Sequence, residues 1–303
     1  MNNFYSNGKL LITGEYTVLD GALALALPTK HGQSLNITNI IENNIIWKSI
    51  DNKNQIWFEE VLPIEEIALG VFNTRNEISK KLIEILHAAK VLNSSFLDSK
   101  AGFCVTTKLG FPTNWGLGSS STLINNIANW AKIDAYKLLE LTFGGSGYDI
   151  ACAQHNQAIT YQLTNSHREI NKVEFNPKFK DHLYFVHLNK KKNSREGIIE
   201  YNKNKQSISA EINDINTITQ KIINCTSLEN FNLLIDSHEI IISSIIKQKT
   251  IKDLLFNDFK GSIKSLGAWG GDFILVSTLD NPSSYFKEKG YPTIIPFKDM
   301  ILN

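Results

Sequence analysis

Three cysteines in 303 residues, Cys104, Cys152 and Cys225, are too few, too scattered and odd in number for a disulfide framework or a zinc site. A reducing compartment, the cytoplasm, fits best. An excess of either charge is also missing: 31 Lys and Arg against 30 Asp and Glu leave a formal net charge of +1. No general field therefore draws in nucleic acid or an anionic membrane, and an anion site must be local. Long hydrophobic runs are absent too. Ala22 to Leu27 is far too short to span a bilayer, and Met1 to Lys9 lacks the basic segment and apolar core of a secretion signal. The triplets Asn36-Ile37-Thr38 and Asn93-Ser94-Ser95 match glycosylation acceptors, but without a secretory route they read as polar turns or strands. None of the seven histidines lies in a metal-ligand pattern; His238-Glu239 lacks the second histidine of a zinc-protease helix and reads as helix surface. There is no internal repeat and no low-complexity tract. What remains is a globular chain, 42% apolar and 20% charged, long enough for one large domain or two ordinary ones.

What the chain does have is glycine and serine in one telling place. Phe111-Pro112-Thr113-Asn114-Trp115-Gly116-Leu117-Gly118-Ser119-Ser120-Ser121-Thr122 runs directly into the apolar pattern Leu123 to Trp130. Two glycines and four hydroxyl residues before a helix describe a loop whose amides point at an anion, phosphate above all. The hydroxyls suit magnesium, which takes few protein ligands. The stretch is neither G-x-x-x-x-G-K-[ST] nor G-x-G-x-x-G, so the two best-known nucleotide loops are excluded. A serine-capped turn at any loop-to-helix junction would look similar.

Taken in order, Lys9 to Thr13 reads as a strand, interrupted by Gly14-Glu15-Tyr16 and resumed at Thr17-Val18-Leu19, with Asp20-Gly21 turning into Ala22 to Leu27. Ser34 to Ile40, Ile45 to Ile50 and Gln55 to Glu60 follow as strands. Helical spacing holds between Glu65 and Asn93, with Ile78, Leu82, Ile85, Leu86 and Ala89 on one face, and Phe103 to Thr107 returns as a strand. A helix to about Trp130, a short one over Ala135 to Leu141, a second glycine-rich turn into a helix at Phe143 to Ala153, and a strand over Ala158 to Leu163 complete this half. The polar segment Thr164 to Lys180 marks the boundary between two lobes, placed at 1–165 and 166–303. Beyond it come strands at Leu183 to Leu188, Phe273 to Ser277 and Tyr291 to Phe297, and helices at Ile208 to Ile223 and Leu228 to Ile246. The class is α+β.

Three stretches together resemble the GHMP small-molecule kinase superfamily over nearly the whole chain. Gly8-Lys9, Gly14-Glu15-Tyr16-Thr17-Val18-Leu19 and Gly21 resemble its N-terminal motif; Pro112 with Gly116-Leu117-Gly118-Ser119-Ser120-Ser121 resembles its phosphate loop; Leu266-Gly267-Ala268-Trp269-Gly270-Gly271-Asp272 resembles its C-terminal element, with Trp269 where glycine is usual. The match is closest to the mevalonate kinase and phosphomevalonate kinase branch; Tyr16 after Gly14-Glu15 resembles phosphomevalonate kinase, where mevalonate kinases usually carry histidine, and Gly147-Tyr148-Asp149-Ile150-Ala151 resembles one bacterial subgroup. The resemblance implies an N-terminal lobe like domain 2 of ribosomal protein S5 and a ferredoxin-like C-terminal lobe. It implies ATP and Mg²⁺ as cofactors and a small alcohol or phosphomonoester as acceptor, mevalonate or phosphomevalonate first. No nucleic-acid or membrane partner is implied, and a homodimer is left open.

Site residues follow from the matched positions. Amides from Gly116, Leu117, Gly118, Ser119, Ser120 and Ser121 would cradle the triphosphate, with Trp115 beside the base or simply in the core. Ser120 would reach the magnesium. Asp149 matches the candidate base, against the ordinary reading as a helix-start carboxylate, and Lys9 would sit near Asp149 and the γ-phosphate, holding the aspartate ionised and stabilising the incoming hydroxyl's developing charge, against the ordinary reading as a solvated lysine. Glu15, a carboxylate in an apolar segment, is either paired with a buried polar group or the second magnesium ligand. Lys192, Ser194 and Arg195 could read a carboxylate or phosphate on the acceptor, or form a solvated loop. Gly267, Gly270 and Gly271 would let the C-terminal turn press on the substrate side or the phosphate loop, or simply form a glycine-rich hairpin turn. Two other readings stand beside the kinase: a diphosphomevalonate decarboxylase, and a silent nucleotide-binding or metabolite-binding regulator, which Trp269 favours.

Overall fold

The computed structural model describes every residue except 72, 75, 99, 100, 165, 166 and 303, and gives only the backbone of Ser194. It divides into two compact units with interleaved segments. Met1–Gly8, His31–Thr113 and Leu117–Gln154 form the first; Lys9–Lys30, Asn114–Gly116 and His155–Asn303 form the second. The expected division into contiguous blocks at 165/166 falls on residues outside those described. The structure draws the line differently, because residues 9–30 and 155–164 pack within the second unit.

Strands β1 (Asn2–Leu11) and β2 (Ala24–Ile40) pair with each other and pass from one unit to the other along their lengths. In the first unit, residues 31–40 of β2 are followed by β3 (Asn44–Ile50), β4 (Ile56–Pro63), α1 (Ile64–Leu69), α2 (Glu77–Leu92), β5 (Gly102–Leu109), α3 (Ser119–Ala131), α4 (Ala135–Thr142) and α5 (Tyr148–Gln154). The strand order is β4-β3-β5-β2, with β3 and β5 parallel and the other neighbours antiparallel. Strand β3 buries alternate residues, Ile45, Trp47 and Ser49, as a strand covered on one face must. Their face meets Leu82 and Leu86 of α2, Ile124 and Ile127 of α3 and Leu138 of α4 in one apolar cluster. Asn76 and Asp134 cap α2 and α4 by accepting amide hydrogens from Ile78 and Tyr136.

The helix expected between Glu65 and Asn93 is two helices, since Gly70 at φ +66 ends the first. Ile78, expected on the buried face, lies in the first turn of α2 and is 46% exposed. Thr17 to Leu19, expected to resume a strand, form a 3₁₀ turn with Asp20, because Gly14 and Tyr16 take φ values of +87 and +59 and swing the chain aside. The separate strands expected at Ala22 to Leu27 and Ser34 to Ile40 are one continuous β2.

In the second unit, Ala24 to Ala26 of β2 pair with β6 (Ile159–Thr164), which pairs with β7 (His167–Lys172). Strand β7 lies inside the polar segment expected to be a linker. It has almost no apolar residues because it is an edge strand that buries none of its side chains. The chain continues through β8 (Leu183–His187), α6 (Ser194–Asn204), α7 (Ser209–Ile223), α8 (Leu228–Ile246), α9 (Ile251–Leu255), β9 (Ser262–Ser265), β10 (Phe273–Ser277), α10 (Ser283–Glu288), β11 (Ile294–Pro296) and α11 (Phe297–Met300). Strands β8 to β11 form an antiparallel sheet in the order β11-β8-β10-β9. Helices intervene between β8 and β9 and between β10 and β11. This is the ferredoxin-like arrangement the sequence resemblance implied.

Helix α8 turns Phe231, Ile235, Ile242 and Ile246 inward at helical spacing. His238 and Glu239, expected on the helix surface, are buried with them, because they serve a polar cluster described below. The three cysteines form no disulfide. Among the described residues no helix is long and apolar enough to cross a membrane.

Candidate functional site

The sequence-selected residues divide between the units. Leu117, Gly118, Ser119, Ser120, Ser121 and Asp149 belong to the first; Lys9, Glu15, Trp115, Gly116, Lys192, Arg195, Gly267, Gly270 and Gly271 belong to the second. The side chain of Ser194 lies outside the described residues.

In the first unit, Gly118 at φ +87 opens α3, and the first intrahelical bond runs from Thr122 N–H to the Gly118 carbonyl at 3.0 Å. The amides of Ser119, Ser120 and Ser121 come before that bond, at the positive end of a thirteen-residue helix whose first turn holds no acid. Ser120 is exposed, while Leu117 is buried and anchors the loop.

Below this turn the helix is fixed by a buried polar chain rather than by apolar packing alone. Thr122 Oγ1 donates to Gln33 Oε1 at 2.6 Å, and Gln33 Nε2 donates to Thr107 Oγ1 at 2.7 Å. Asn126 Nδ2 donates to the Gln33 carbonyl at 2.9 Å, and Ser6 Oγ donates to Asn126 Oδ1 at 2.7 Å. Asn125 Nδ2 donates to Ser6 Oγ at 2.9 Å and its Oδ1 accepts from Gln154 Nε2 at 2.9 Å. These bonds tie α3 to β1, β2 and β5, and tie α5 to α3. Every link is directional, so the serine turn has one height and one rotation over the sheet. Asp149, partly buried in the first turn of α5, follows Gly144, Gly145 and Gly147 at φ +68, +104 and +90, with open space beside the first two.

In the second unit, Lys9 Nζ donates to the Gly116 carbonyl at 3.4 Å. Gly116 has φ +67, and a Cβ there would stand 2.4 Å from Asp272 Cγ. Asp272 Oδ1 accepts from Lys192 N–H at 3.3 Å, and Asp272 N–H donates to the Lys190 carbonyl at 2.7 Å. A Cβ on Gly271 would stand 2.6 Å from Lys192 Cγ, so this glycine admits the lysine loop. Burial pushes the Asp272 carboxyl above its usual range, and the nearby charges of Lys9 and Lys191 pull it back. The Trp115 ring sits edge-on to Phe273 at 5.3 Å and beside His187, whose Nε2 is 3.0 Å from the Asn114 carbonyl.

Glu15 is completely buried, with Oε1 on Lys264 Nζ at 2.5 Å and Oε2 3.5 Å from His238 Nε2. Glu239 Oε2 is 3.7 Å from the same lysine, and its Oε1 accepts from the Ser265 amide and hydroxyl. His238 Nε2 accepts from Gly14 N–H at 2.9 Å. Desolvation raises Glu15 to about 7 against the pull of Lys264, raises Glu239, and drives His238 well below its usual value. Of the two expectations for Glu15, pairing with a buried polar group is what the structure shows. The cluster holds the Gly14-Glu15-Tyr16 turn from beneath.

Trp269 is 4% exposed and packs with Tyr201, Ile215 and Ile242 among the helices of its unit; its backbone N–H donates to Tyr16 Oη at 3.2 Å. Gly197 of α6 makes room for that hydroxyl, since a Cβ there would lie 2.6 Å from it. The Trp269 side chain thus fills core, and Gly267 and Gly270 keep φ values of +66 and +83. Asp272 and Lys264 were missed as site residues. Asp272 stood in sight at the end of the third glycine motif; a lone lysine in the short stretch Ser262–Ser265, Ser-Ile-Lys-Ser, gave no signal for Lys264.

No protein-family model matches the sequence, and no curated protein matches it significantly. Solved structures do match. The mevalonate kinase of Methanococcus jannaschii is 18% identical with a TM-score of 0.72, over 97% of this chain and 96% of that one. The phosphomevalonate kinase of Streptococcus pneumoniae, bound to phosphomevalonate and AMPPNP, is 16% identical with a TM-score of 0.68, over 100% and 98%. The galactokinase of Lactococcus lactis, bound to galactose, is 13% identical with a TM-score of 0.69, over 97% and 93%. At these identities the likeness is one of fold. The chain has the GHMP kinase fold, α+β, from end to end.

Proposed function

We propose that the protein is a GHMP-family kinase that transfers the terminal phosphoryl group of ATP to a small-molecule alcohol or phosphomonoester, mevalonate or phosphomevalonate being the first acceptors to try. The observation that carries this reading is the acid-free α3 N-terminus, led by two left-handed glycines and three serines, in a chain with this fold. Such an end suits a triphosphate: its amides precede the intrahelical ladder, and the buried polar chain beneath it keeps them aimed. Magnesium, when bound, supplies neutralisation of charge on the phosphate oxygens. Ser120 presents an exposed hydroxyl for it, and Glu15 is committed to Lys264 instead. Among the described residues no three His, Cys, Asp or Glu gather as a metal site, which suits an ion held largely by phosphate and water.

Within this reading Asp149 takes the proton from the acceptor hydroxyl, and Lys9 offers its ammonium to the charge on the transferred group. Lys192 and Arg195 stand as acceptor-recognition residues. Burial of Trp269 in the helical core, beside Gly267 and Gly270 that keep left-handed backbone, speaks against a silent regulator. Cysteines that form no disulfide accord with a cytoplasmic enzyme.

Coupled ADP release measured with mevalonate, phosphomevalonate, homoserine and galactose tests the proposal. One acceptor is expected to stimulate turnover, and Asp149→Asn to lower kcat by about 10²- to 10⁴-fold. Turnover stimulated by none of them rejects the kinase reading for these acceptors; carbon dioxide release from diphosphomevalonate would replace it with a decarboxylase.

A further inference from the structure

Helix α6 docks on its unit with little apolar burial. Of its described side chains only Tyr201 is buried, while Ile199 is 68% exposed and Arg195, Glu196 and Glu200 face solvent. An eleven-residue helix with so narrow an apolar stripe is not held by packing alone. What fastens it is polar. Tyr201 Oη donates to Asp20 Oδ2 at 2.5 Å, and Lys205, the residue after the helix, places Nζ 2.7 Å from Asp20 Oδ1 and 5.1 Å from the centre of the Tyr201 ring. That ring stacks on Tyr16 at 5.5 Å, and Gly197, one turn before Tyr201, lies against the Tyr16 hydroxyl. Two other ties, Asn204 to the Ile246 carbonyl at 3.3 Å and Gln248 to Glu200 at 3.4 Å, are longer. Asp20 closes the 3₁₀ turn inside the first motif, so one carboxylate there takes both donors from the end of α6. The lysine loop enters the other end of the helix: Lys192 N–H is held on Asp272 Oδ1, and Asn193 caps α6 by accepting from Arg195 N–H at 3.1 Å. Lys192 and Arg195 therefore lie on a strap tied at Asp272 on one side and at Asp20 on the other.

We infer that Asp20 and Tyr201 are positioning residues whose hydrogen bond keeps α6 docked and so fixes where Lys192 and Arg195 stand for the acceptor. The fastening of the helix stands on geometry alone, and its effect on acceptor recognition rests on the kinase reading. A phenol that donates to a carboxylate makes a stronger tie than a neutral pair, and losing it favours release of the helix by about 10- to 100-fold. Tyr201→Phe isolates that tie, because the ring, its stacking on Tyr16 and the pairing of Lys205 with Asp20 all remain. Asp20→Asn is the gentler change: it leaves Tyr201 an acceptor and gives up only the charge.

Two measurements on Tyr201→Phe decide the matter. In the first, hydrogen exchange of the intact protein is read by peptide mass spectrometry at labelling times short enough that α3 and α8 stay protected. The amides of α6 should exchange about 10- to 100-fold faster than in the parent protein while α3 and α8 remain protected in both. In the second, with the acceptor identified by the coupled assay, the KM for acceptor should rise about 3- to 10-fold, with kcat and the KM for ATP within about twofold. Asp20→Asn should move both readings in the same direction by less. Unaltered α6 exchange overturns the inference, as does a loss of protection in α3 and α8 together with α6. Faster α6 exchange at an unchanged acceptor KM overturns the positioning role. If the parent protein phosphorylates no acceptor, the kinase reading falls while the exchange result still decides whether the bond fastens α6. Should Tyr201→Phe fail to fold, Asp20→Asn takes its place in both measurements under the same criteria.

Discussion

Replacing Lys264 with methionine would test the buried cluster beneath the first motif most severely. Lys264, Glu15 and His238 are completely buried and Glu239 is 2% exposed, so one ammonium serves two carboxylates away from bulk solvent. Methionine keeps the unbranched shape and removes only the charge. Leaving a buried charge without its partner costs about 3–5 kcal/mol, and that loss should depend on pH in a definite direction. The folded Glu15 carboxyl is already raised to about 7 from 4.5. A carboxyl that holds its proton more tightly folded than unfolded makes stability fall as pH rises between those two values, by about 1.4 kcal/mol per unit. In the parent protein His238 opposes this: its folded value is depressed, so it adds stability as pH rises toward 6.5. Without Lys264 the Glu15 carboxyl moves higher still, and the decline continues past neutrality. Urea unfolding at pH 5, 6, 7 and 8 should therefore show Lys264→Met losing most at pH 8 and recovering much of the loss at pH 5. Glu15→Gln added to the variant should restore stability at pH 8 and flatten the profile. A loss below about 1 kcal/mol at pH 8, or one that does not shrink on acidification, would refute the reasoning.

Two further substitutions probe the frame on either side. Thr122→Val keeps the shape of the side chain but leaves Gln33 Oε1 without its donor; unfolding should be easier by about 1–3 kcal/mol, read from the urea midpoint at unchanged slope. Trp269→Ala removes a ring packed among Tyr201, Ile215 and Ile242 and should cost about 3–5 kcal/mol by the same measurement, whereas a tryptophan lining an open turn would cost far less.

Legibility followed the reach of the interactions. The strand at Phe273 to Ser277 and the helices from Ser119, Ala135, Ser209 and Leu228 obey local periodicity, and their positions were visible in the chain. The serine turn was visible because glycine, serine and a helical run are adjacent. Strand β7 was not, since an edge strand of His, Arg, Glu, Asn and Lys carries no apolar alternation. His238 and Glu239 looked like surface because nothing near them in sequence reveals Gly14, Glu15 and Lys264 as their partners. Glu15 could be narrowed to two alternatives, and only the three-dimensional arrangement chose between them. Trp269 looked like damage to a glycine motif until its side chain was found among helices contributed by other segments.

The interleaving of segments has a consequence for synthesis. Residues 9–30 leave the ribosome early, yet Thr13 meets Thr219, Gly14 meets His238 and Glu15 meets Lys264, partners 206, 224 and 249 positions later. At about 5–20 residues per second, that segment waits on the order of 10–50 s with its first-motif turn unsupported. A nascent chain of this protein should therefore depend on holdase chaperones until its last helices emerge. Ribosome-stalled intermediates short of Lys264 should be cut readily by protease near Gly14.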